Sequence, residues 1–420
     1  MTLSRAAVAT AAAITTTLTL LSALPADAAP PRHGCGHAHS GGHGHGHGQD
    51  TVRFQTFNAS LNRGQAGDLV EDLSTTDDPQ AGAVAEIIQR TRPDVLLINE
   101  FDYVPEGEAI DLFRENYLEV PQQGARPIRY RYAFVAPSNT GVASGHDLDN
   151  DGSVGGGNDA FGFGLFEGQY GMAVLSRYPI DTRRIRTFQN FLWKDMPGAL
   201  LPDDPATPAP ADWYSPEELE DVRLSSKSHW DVPIRVDRRR TVHFLASHPT
   251  PPTFDGAEDR NGTRNHDEIR FWADYVDDRG YIYDDRGRRG GLSRHASFVI
   301  AGDQNSDPVD GDSVPGAIQQ LIEHPRIKDP LPSSDGGPEA AARQGGANDA
   351  QLGDPAYDTA DFSDTQPGNL RADYVLPSRR LKVRDAGVFW PLPSDPLARL
   401  TGEYPFPSSD HRTVWVDLRP

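Results

Sequence analysis

Short runs of apolar, β-branched and aromatic residues recur along the chain from Thr51 onward, with polar and turn-forming residues between them. Runs of this length and composition are typical of buried strands. The strands predicted in this way are residues 52–57, 95–99, 130–135, 172–175, 242–246, 298–301, 374–376 and 413–418.

Helical spacing of apolar residues occurs between the predicted strands. Asp78 and Pro79 supply an N-cap and a first-turn proline for one helix, and a second helix is predicted to begin near Asn265. Strands that alternate with helices indicate a layered α/β protein. The apolar positions on the buried faces are Ala83, Val84, Ile87 and Ile88 in the first helix and Ile269, Trp272, Ala273 and Val276 in the second.

Two long stretches interrupt this alternation. Residues 192–237 are rich in proline, and residues 329–369 are rich in glycine, proline, alanine and aspartate. Long connections in a compact domain are commonly functional. We therefore predict two surface insertions that contribute to specificity, and we expect Lys227, His229 and Trp230 in the first to form a lid.

The first 28 residues have the pattern of an export signal. Arg5 precedes an apolar run to Leu24, and the segment that ends at Ala28 is a small-x-small cleavage pattern. A membrane anchor is the alternative, which the threonines and the short length of the run disfavour. We expect cleavage near Ala28 and a soluble, secreted mature protein.

Residues 29–50 are rich in glycine and histidine and contain almost nothing apolar. This composition predicts a flexible tail. Two interpretations stay open: binding of zinc, nickel or copper by the imidazoles, and a simple linker. Residues 51–420 then form the folded domain.

The chain of 420 residues has a formal net charge of −21. Such a charge repels polyanions at long range and argues against tight, sequence-indifferent binding of nucleic acid by a basic surface. It does not exclude a nuclease, because carboxylates can hold cations. The single cysteine, Cys35, cannot form an internal disulfide, so the fold depends on its core.

Polar residues follow several apolar runs, where a strand would deliver a side chain to a sheet edge. Each one alone is a weak signal, because polar residues after strands are usually ordinary turn or surface residues. Their order along the chain carries more information. The motifs are Phe57-Asn58, Ile98-Asn99-Glu100, Gly171 to Ile180, Ala246-Ser247-His248, Gly302-Asp303-Gln304-Asn305, Ala372 to Leu376 and Ser409-Asp410-His411.

In this order the motifs resemble the endonuclease/exonuclease/phosphatase superfamily, and the resemblance extends over residues 51–420. It implies a four-layered α/β/β/α sandwich, in which two stacked mixed β-sheets are flanked by helices. The site would lie where the strand ends of both sheets meet. The resemblance also implies a phosphate-ester hydrolase with Mg²⁺ or Mn²⁺ as its cofactor.

The same resemblance assigns roles to the motif residues. Glu100 would coordinate the metal, with Asn58 and Asp410 close by, since hard cations prefer oxygen ligands. Asp303 would orient or deprotonate the attacking water, and Asn305 would hold a phosphate oxygen.

Two histidines also receive roles from the resemblance. His411 would contact the phosphate, with Asp373 fixing its tautomer and favouring the imidazolium. His248 would donate a proton to the leaving oxygen. The chain departs from the apurinic endonucleases at Gln304, where Phe or Leu is usual, and at Ser60, which replaces an acidic residue.

A further acidic motif consists of Asp147, Asp149 and Asp151, followed by Gly152. It matches the start of a calcium-binding loop, but its twelfth position is Asn158 rather than Glu. Structural Ca²⁺ and an ordinary acidic turn both stay open.

Arg264 and His266 follow His248 closely and are candidates for binding a substrate phosphate or carboxylate. A helix-capping loop is the alternative.

The leading hypothesis is a secreted, metal-dependent phosphoesterase that acts by direct attack of an activated water, as a monomer without a stable protein partner. Candidate substrates are nucleic acid, phospholipid head groups and small phosphoesters. An extracellular nuclease and a sphingomyelinase-like phospholipase are the alternatives within the fold. The rival from another class is a non-catalytic, metal-binding secreted protein.

Overall fold

The computed structural model describes residues 51–420. The predicted export signal and His-rich tail fall in residues 1–50 and therefore lie outside the described residues. Among the described residues, no helix has both the length and the apolar character needed to cross a bilayer.

Thirteen strands and seven α-helices are found in residues 51–420. The strands are β1 (Val52–Leu61), β2 (Val95–Phe101), β3 (Tyr132–Phe134), β4 (Met172–Ser176), β5 (Arg186–Thr187), β6 (Trp230–Arg235), β7 (Thr241–Ala246), β8 (Ser297–Asp303), β9 (Ala360–Asp361), β10 (Asn369–Leu370), β11 (Asp373–Pro377), β12 (Lys382–Val388) and β13 (Val414–Arg419). The α-helices are α1 (Asp68–Leu73), α2 (Pro79–Thr91), α3 (Glu108–Phe113), α4 (Pro216–Leu219), α5 (Arg260–Val276), α6 (Gln319–Ile322) and α7 (Gly336–Gln344).

The strands form two large sheets and one small pair. The first sheet has the order β12-β13-β1-β2-β4-β3, and the second has the order β11-β8-β7-β6-β5. Strands β1 and β2 are parallel, as are β7 and β8, whereas the other neighbours in these sheets are antiparallel. Both sheets are therefore mixed, as predicted.

Alternation of side chains along the strands explains the layers. In β2, Val95 and Leu97 pack in the core between the two sheets, while Leu96 and Ile98 pack with α2 on the outer side. Strand β8 divides its residues in the same way between that central core and a third cluster under α5. Successive side chains of a strand point to opposite faces, so two stacked sheets with outer helices give the predicted four-layered α/β/β/α sandwich.

The two predicted helices are present. Asp78 caps α2 by accepting a 2.6 Å hydrogen bond from the Ala81 N–H, and Pro79 is its first residue. Helix α5 begins at Arg260 rather than near Asn265. Its first turns are polar, so the apolar periodicity that predicts the helix starts only at Ile269.

The predicted insertion at residues 192–237 is too long, because β6 lies inside it as an internal strand of the second sheet. Trp230, Val232 and Ile234 alternate toward the central core. The strand was not predicted from the sequence because it contains Pro233, and proline rarely occupies central strands. Its carbonyl accepts the N–H of Asp181, from the segment beside β6.

The stretch at residues 329–369 is partly regular. It contains α7 and the short strands β9 and β10. Ala360 in β9 forms a bridge to His411. This stretch therefore packs beside the predicted site.

Candidate active site

The predicted catalytic and metal-binding residues meet where the strand ends of the two sheets come together. Asn58 in β1 donates hydrogen bonds of 3.0 Å to Glu100 at the end of β2 and of 3.0 Å to Asp303 at the end of β8. One amide thus joins a carboxylate of the first sheet to a carboxylate of the second. This contact presents the nitrogen of Asn58, not its oxygen, to both carboxylates.

A second bridge between the sheets lies directly beneath this one. The side-chain oxygen of the fully buried Asn99 accepts the Asp303 N–H at 3.2 Å. Its amide nitrogen donates to the carbonyl of Ser247, just after β7, at 3.4 Å. Two buried asparagines therefore fix the end of β8 against the first sheet.

Gly302 permits this close approach. It adopts φ +149°, and a Cβ at this position would lie 1.9 Å from the carbonyl oxygen of Ser247. No side chain fits there without moving the backbone. Two residues further on, Gln304 occupies the position where Phe or Leu is usual. Its side-chain amide donates to the Ser247 hydroxyl at 3.2 Å, so this buried amide nitrogen has a partner.

His411 is held by an acidic partner. Its Nδ1 lies 2.8 Å from Asp373 Oδ2, and Thr359 donates to the same oxygen at 2.9 Å. The ring Nε2 faces Asp303 Oδ2 at 3.7 Å. Burial alone would lower the pKa of His411, but the carboxylates of Asp373 and Asp303 raise it well above its ordinary value, which favours the imidazolium.

Asp303 lies at the centre of the cluster. Its side chain is 1% exposed, and burial raises its pKa to about 7 although the charge of His411 acts in the opposite direction. His248 Nε2 lies 3.4 Å from the same carboxylate oxygen that faces His411. The two imidazoles thus flank one oxygen of Asp303.

His248 differs from His411 in its surroundings. Its Nδ1 is buried without a hydrogen-bond partner among residues 51–420. Burial, with the nearby charges of Lys227 and His411, lowers the pKa of His248 well below its ordinary value. The neutral ring can donate a hydrogen bond from Nε2, and its role as a proton donor stays a prediction.

Glu100 and Asp410 offer oxygens that suit a hard cation. Both are partly buried and line the same cavity of about 930 Å³. Asn58 binds one oxygen of Glu100, and Ser60 donates to Asp410 at 3.2 Å. Oxygen donors of this kind fit Mg²⁺ or Mn²⁺. Glu100 also has φ 56°, a strained conformation for a non-glycine residue, as found at functional sites.

A second metal-compatible group overlaps the catalytic cluster. Single ligand atoms of Asp303, Asp373 and His411 lie within 4.8 Å of one another. Because Asp373 already accepts from His411, hydrogen bonding explains the closeness of that pair.

Asn305 is placed by a local turn. Its N–H donates to Asp303 Oδ1 at 2.8 Å, and its backbone adopts φ 50°, which asparagine tolerates well. The side-chain amide donates to the carbonyl of Pro249 at 3.1 Å. Its second N–H is available to a phosphate oxygen in the larger cavity, which Asn305 lines.

Two cavities meet at these residues. The larger, of about 930 Å³, contains Asp303, Asn305 and His411 in its wall. The smaller, of about 590 Å³, contains Lys227 and His248. Both share the wall residues Glu100, Pro251 and Phe254.

Lys227 was expected in a lid but belongs to the floor of the smaller cavity. It is 7% exposed, and its ammonium has no hydrogen bond or ion pair with the described part of the chain. Burial lowers its pKa, and the carboxylates of Glu268 and Glu100 oppose that effect. A buried cation without a partner, beside the predicted catalytic residues, is suited to binding an anion.

Sequence reasoning missed Glu268, which positions this region. It is fully buried in α5, and it accepts the N–H groups of Ser226 at 2.7 Å and Thr250 at 2.6 Å. It therefore joins the segment that carries Lys227 to the segment that carries His248. Only its polar character within an apolar helix face could have indicated this role.

The predicted lid is wrong. Trp230 is a core residue of β6, and His229 is 1% exposed. The His229 Nε2 lies 2.9 Å from the Glu268 carbonyl, and its ring packs on Phe271 and Trp272. These two residues support the second sheet and do not cover the site.

Arg264 and His266 have different positions. Arg264 lines the smaller cavity, but its guanidinium donates to the backbone carbonyls of Leu224, Phe161 and Arg223. His266 contacts Asp267 at 3.0 Å and lines neither of the two cavities. Arg264 therefore remains a candidate for substrate contact, whereas His266 lies away from the cavity walls.

The acidic loop adopts a compact form. Ligand oxygens of Asp147, Asp149 and Asp151 lie within 4.8 Å of one another. Asn158 donates to Asp149 at 2.9 Å, and the adjacent Asp159 accepts backbone N–H groups that close the loop. The arrangement is compatible with a calcium ion, which stays a prediction.

A buried carboxylate flanked by two imidazoles, next to the carboxylates of Glu100 and Asp410, is an arrangement suited to metal-assisted hydrolysis. The Endonuclease/Exonuclease/phosphatase family model matches residues 56–411, and the chain belongs to this family. Members of the family are divalent-metal-dependent hydrolases that act on phosphoester bonds. This protein is a hydrolase that acts on phosphoester bonds, and it has acidic and histidine groups that could hold a metal ion.

Solved structures with a similar fold have low sequence identity to this chain. An endonuclease/exonuclease/phosphatase from Beutenbergia cavernae is 17% identical, with 88% of this chain and 72% of that one covered and a TM-score of 0.46. A family protein from Leptotrichia buccalis is 15% identical, with coverage of 87% and 98% and a TM-score of 0.44. A mannosyl-6-phosphatase from Bacteroides thetaiotaomicron is 13% identical, with coverage of 87% and 99% and a TM-score of 0.41. No match to curated proteins was found.

Proposed function

We propose that this protein is a secreted, divalent-metal-dependent phosphoesterase that hydrolyses a phosphate ester by direct attack of an activated water. The observation that carries the proposal is the position of Asp303. Its Oδ2 accepts from Asn58 at 3.0 Å and lies 3.4 Å from His248 Nε2 and 3.7 Å from His411 Nε2.

Glu100 and Asp410 would hold the metal, as Mg²⁺ or Mn²⁺, through carboxylate oxygens. A bound divalent cation neutralises the charge that develops on the phosphate. Asp303 accepts the proton of the attacking water, and a carboxylate with a pKa of about 7 suits this role because a general base works best near the operating pH.

The remaining site residues bind the phosphate. His411, charged by its pairing with Asp373, and the free N–H of Asn305 donate to phosphate oxygens from the larger cavity. Lys227 and the neutral His248 face the phosphate from the smaller cavity. Donors on both sides can hold the phosphate in line for attack.

A phosphodiester fits this arrangement better than a monoester. The catalytic residues lie at the junction of two cavities, of about 590 and 930 Å³, and a diester places one organic group on each side of the phosphorus. Nucleic acid is therefore the first substrate to test, and phospholipid head groups are the second. These two correspond to a nuclease and to a sphingomyelinase-like phospholipase.

Direct attack is favoured over a covalent intermediate. The hydroxyls of Ser60 and Ser409 contact each other at 2.9 Å, and Ser60 also donates to Asp410. A serine nucleophile requires an adjacent base, usually histidine, and neither hydroxyl contacts an imidazole ring. The carboxylate beside them, Asp410, would be engaged with the metal. Hydrolysis of a substrate with chiral phosphorus should proceed with inversion, and retention would overturn direct attack.

The decisive experiment measures hydrolysis of bis-p-nitrophenyl phosphate, p-nitrophenyl phosphate, DNA and sphingomyelin, with Mg²⁺, Mn²⁺ or Ca²⁺. Asp303→Ala and His411→Ala are tested beside the wild type. Loss of one metal-dependent activity in both variants supports the proposal and names the substrate class. A folded wild type without activity on any of them would point to a phosphate ester outside this set or to the non-catalytic, metal-binding alternative.

Secretion is proposed from the sequence of residues 1–28 alone. The expected result is a protein in the culture medium whose N-terminal residue, by sequencing, is at or near Ala29. A cell-associated protein with an intact N-terminus would contradict secretion without affecting the proposed chemistry.

A further inference from the structure

The edge of the second sheet opposite the active site has a strongly basic surface. Strands β7 and β8 are parallel, so His248 and Asp303 at their C-terminal ends share one edge, while Thr241 and Ser297 at their N-terminal ends share the other. Two grooves lie at this second edge. We call the arginines that line them the arginine face: Arg184, Arg186, Arg239, Arg240, Arg288, Arg279, Arg294, Arg326, Arg379 and Arg380.

The two grooves adjoin each other. Each encloses about 520 Å³ and is lined by five arginines, and Ala296 belongs to both. Asp231 is the one acidic residue in the lining of the first groove, and Asp277 is the one in the lining of the second. This surface belongs to a protein with a net charge of −21, so the charge is strongly segregated.

Several of these charges are not neutralised. Asp284 pairs with Arg186 and Arg288, Asp237 pairs with Arg240, and Asp274 and Asp277 pair with Arg279. The other six arginines of the face have no carboxylate partner within residues 51–420. Four of these are exposed, and their side chains have no hydrogen bond or ion pair within residues 51–420: Arg184, Arg239, Arg294 and Arg379. The positive charges lie close enough to affect one another. Burial lowers the pKa of Arg326, and the charges of Arg380 and Arg294 lower it further, whereas the carboxylate of Asp277 raises it.

We propose that the arginine face binds the phosphate backbone of duplex DNA at a place separate from the catalytic residues. Guanidinium groups match phosphate oxygens through paired hydrogen bonds. Grooves can receive a projecting sugar-phosphate strand and so bring several phosphates against several arginines. Such contacts hold DNA without reading its sequence.

The surface disfavours other polyanions. None of the exposed large apolar side chains in the described part of the chain lines either groove, so there is no apolar anchor for a bilayer. The lining also lacks exposed Phe, Tyr or Trp rings, on which the bases of a single strand would stack.

The face is an anchor and not an extension of the active site. Strand β7 separates the two edges, and its six residues span about 20 Å. DNA bound there would keep the enzyme on a polymer whether or not the polymer is cut. The inference therefore does not depend on the proposed function.

The test is the affinity of the full mature chain for a labelled DNA duplex, by fluorescence anisotropy between about 50 and 200 mM salt. All proteins carry Asp303→Ala so that cleavage does not interfere. Arg294→Gln/Arg379→Gln should raise Kd at least tenfold at the lowest salt concentration. The slope of log Kd against log salt should fall by about 2, because each lost phosphate contact contributes about 0.9.

The matched control is Lys194→Gln/Arg343→Gln, which removes two surface charges outside both grooves. It should change Kd less than threefold. Equal weakening by both double variants, or no weakening by Arg294→Gln/Arg379→Gln, would overturn the proposal. Tighter binding of single-stranded DNA, or of phosphatidylglycerol vesicles, through the same arginines would also overturn it.

Catalysis provides an independent readout. With Asp303 intact, Arg294→Gln/Arg379→Gln should hydrolyse bis-p-nitrophenyl phosphate at the wild-type rate, because the grooves lie at the other edge of the sheet. A parallel loss of that activity would show that the substitutions disturb the whole fold, and would contradict a separate binding surface.

Discussion

The Nδ1 of His411 lies 2.8 Å from Asp373 Oδ2, and both side chains are at least nine-tenths buried. The pair joins the loop before β13 to the first residue of β11, so it links the two sheets as well as charging the imidazole. Its geometry depends on Thr359, which donates to the same carboxylate oxygen.

Asp373→Asn should lower kcat/KM by at least about a hundredfold, because an amide no longer fixes the tautomer or favours the imidazolium of His411. The melting temperature should change much less than the activity. Steady-state kinetics and thermal unfolding provide the comparison, with the exposed Asp385→Asn as the control. Activity within threefold of wild type would show that the pair is structural only.

Lys227→Met should separate activity from stability. Removal of a buried cation without a partner relieves a desolvation cost, so the melting temperature should stay the same or rise. The rate should fall by about 10² because a phosphate-binding charge is lost. Lys227→Arg keeps the charge and should retain more activity than Lys227→Met, and equal losses would contradict an electrostatic role.

Gly302→Ala should destabilise the fold by about 4 kcal/mol or more, the range of severe backbone clashes. Its Cβ would lie 1.9 Å from the Ser247 carbonyl oxygen. Urea unfolding of this variant is compared with that of Gly280→Ala, whose Cβ would meet nothing within 4 Å. Similar stabilities would show that β8 and the end of β7 are not held in close contact.

The free energy of unfolding should fall in acid because the buried imidazole of His229 excludes a proton. Burial lowers its pKa from 6.5 to about 4, so below pH 6.5 the unfolded chain binds a proton that the folded protein excludes. The stabilising contribution is complete above pH 6.5 and is lost as the pH falls toward 4. The loss is on the order of 3 kcal/mol.

Urea unfolding at a series of pH values measures this effect. His229→Gln should have a flatter slope between pH 6.5 and 4, whatever its absolute stability. The exposed His295→Gln should keep the wild-type slope. A wild-type slope in His229→Gln would show that other groups account for the acid sensitivity.

The acidic loop should respond to calcium. If Asp147, Asp149 and Asp151 hold an ion, chelation should lower the melting temperature and added Ca²⁺ should restore it, since an ion that binds only the folded state stabilises it. Asp149→Asn should weaken this response. A melting temperature that is insensitive to chelation would identify an ordinary acidic turn.

Much of the fold could be predicted because its main strands are locally apolar. Strands β2 and β8 contain continuous apolar runs, and β1 and β7 are rich in apolar residues with polar ones between them. Their apolar residues face the cores, and such patterns are visible without tertiary information. Strand β12 could not be found in this way. It is an edge strand in which only Gly387 and Val388 are buried, so its sequence has no clear apolar run.

The candidate site was predictable to the extent that its residues follow those strands in a recognisable order. Glu100, His248 and Asp303 each lie at or just after a strand end, and the structure brings them together with Asp410 and His411. Their motifs are short and local, so the sequence contains them directly. Their distances and charges depend on how the two sheets stack.

What the sequence determined by itself is the set of strands and helices and the polar residues at their ends. Only the tertiary structure decided the roles of Lys227, Glu268 and Thr359, as well as the arginine face. Each of these depends on contacts between segments that are distant in the chain. A single residue shows its type in the sequence, but its burial, its partners and the sign of the surrounding charge arise only when the sheets pack together.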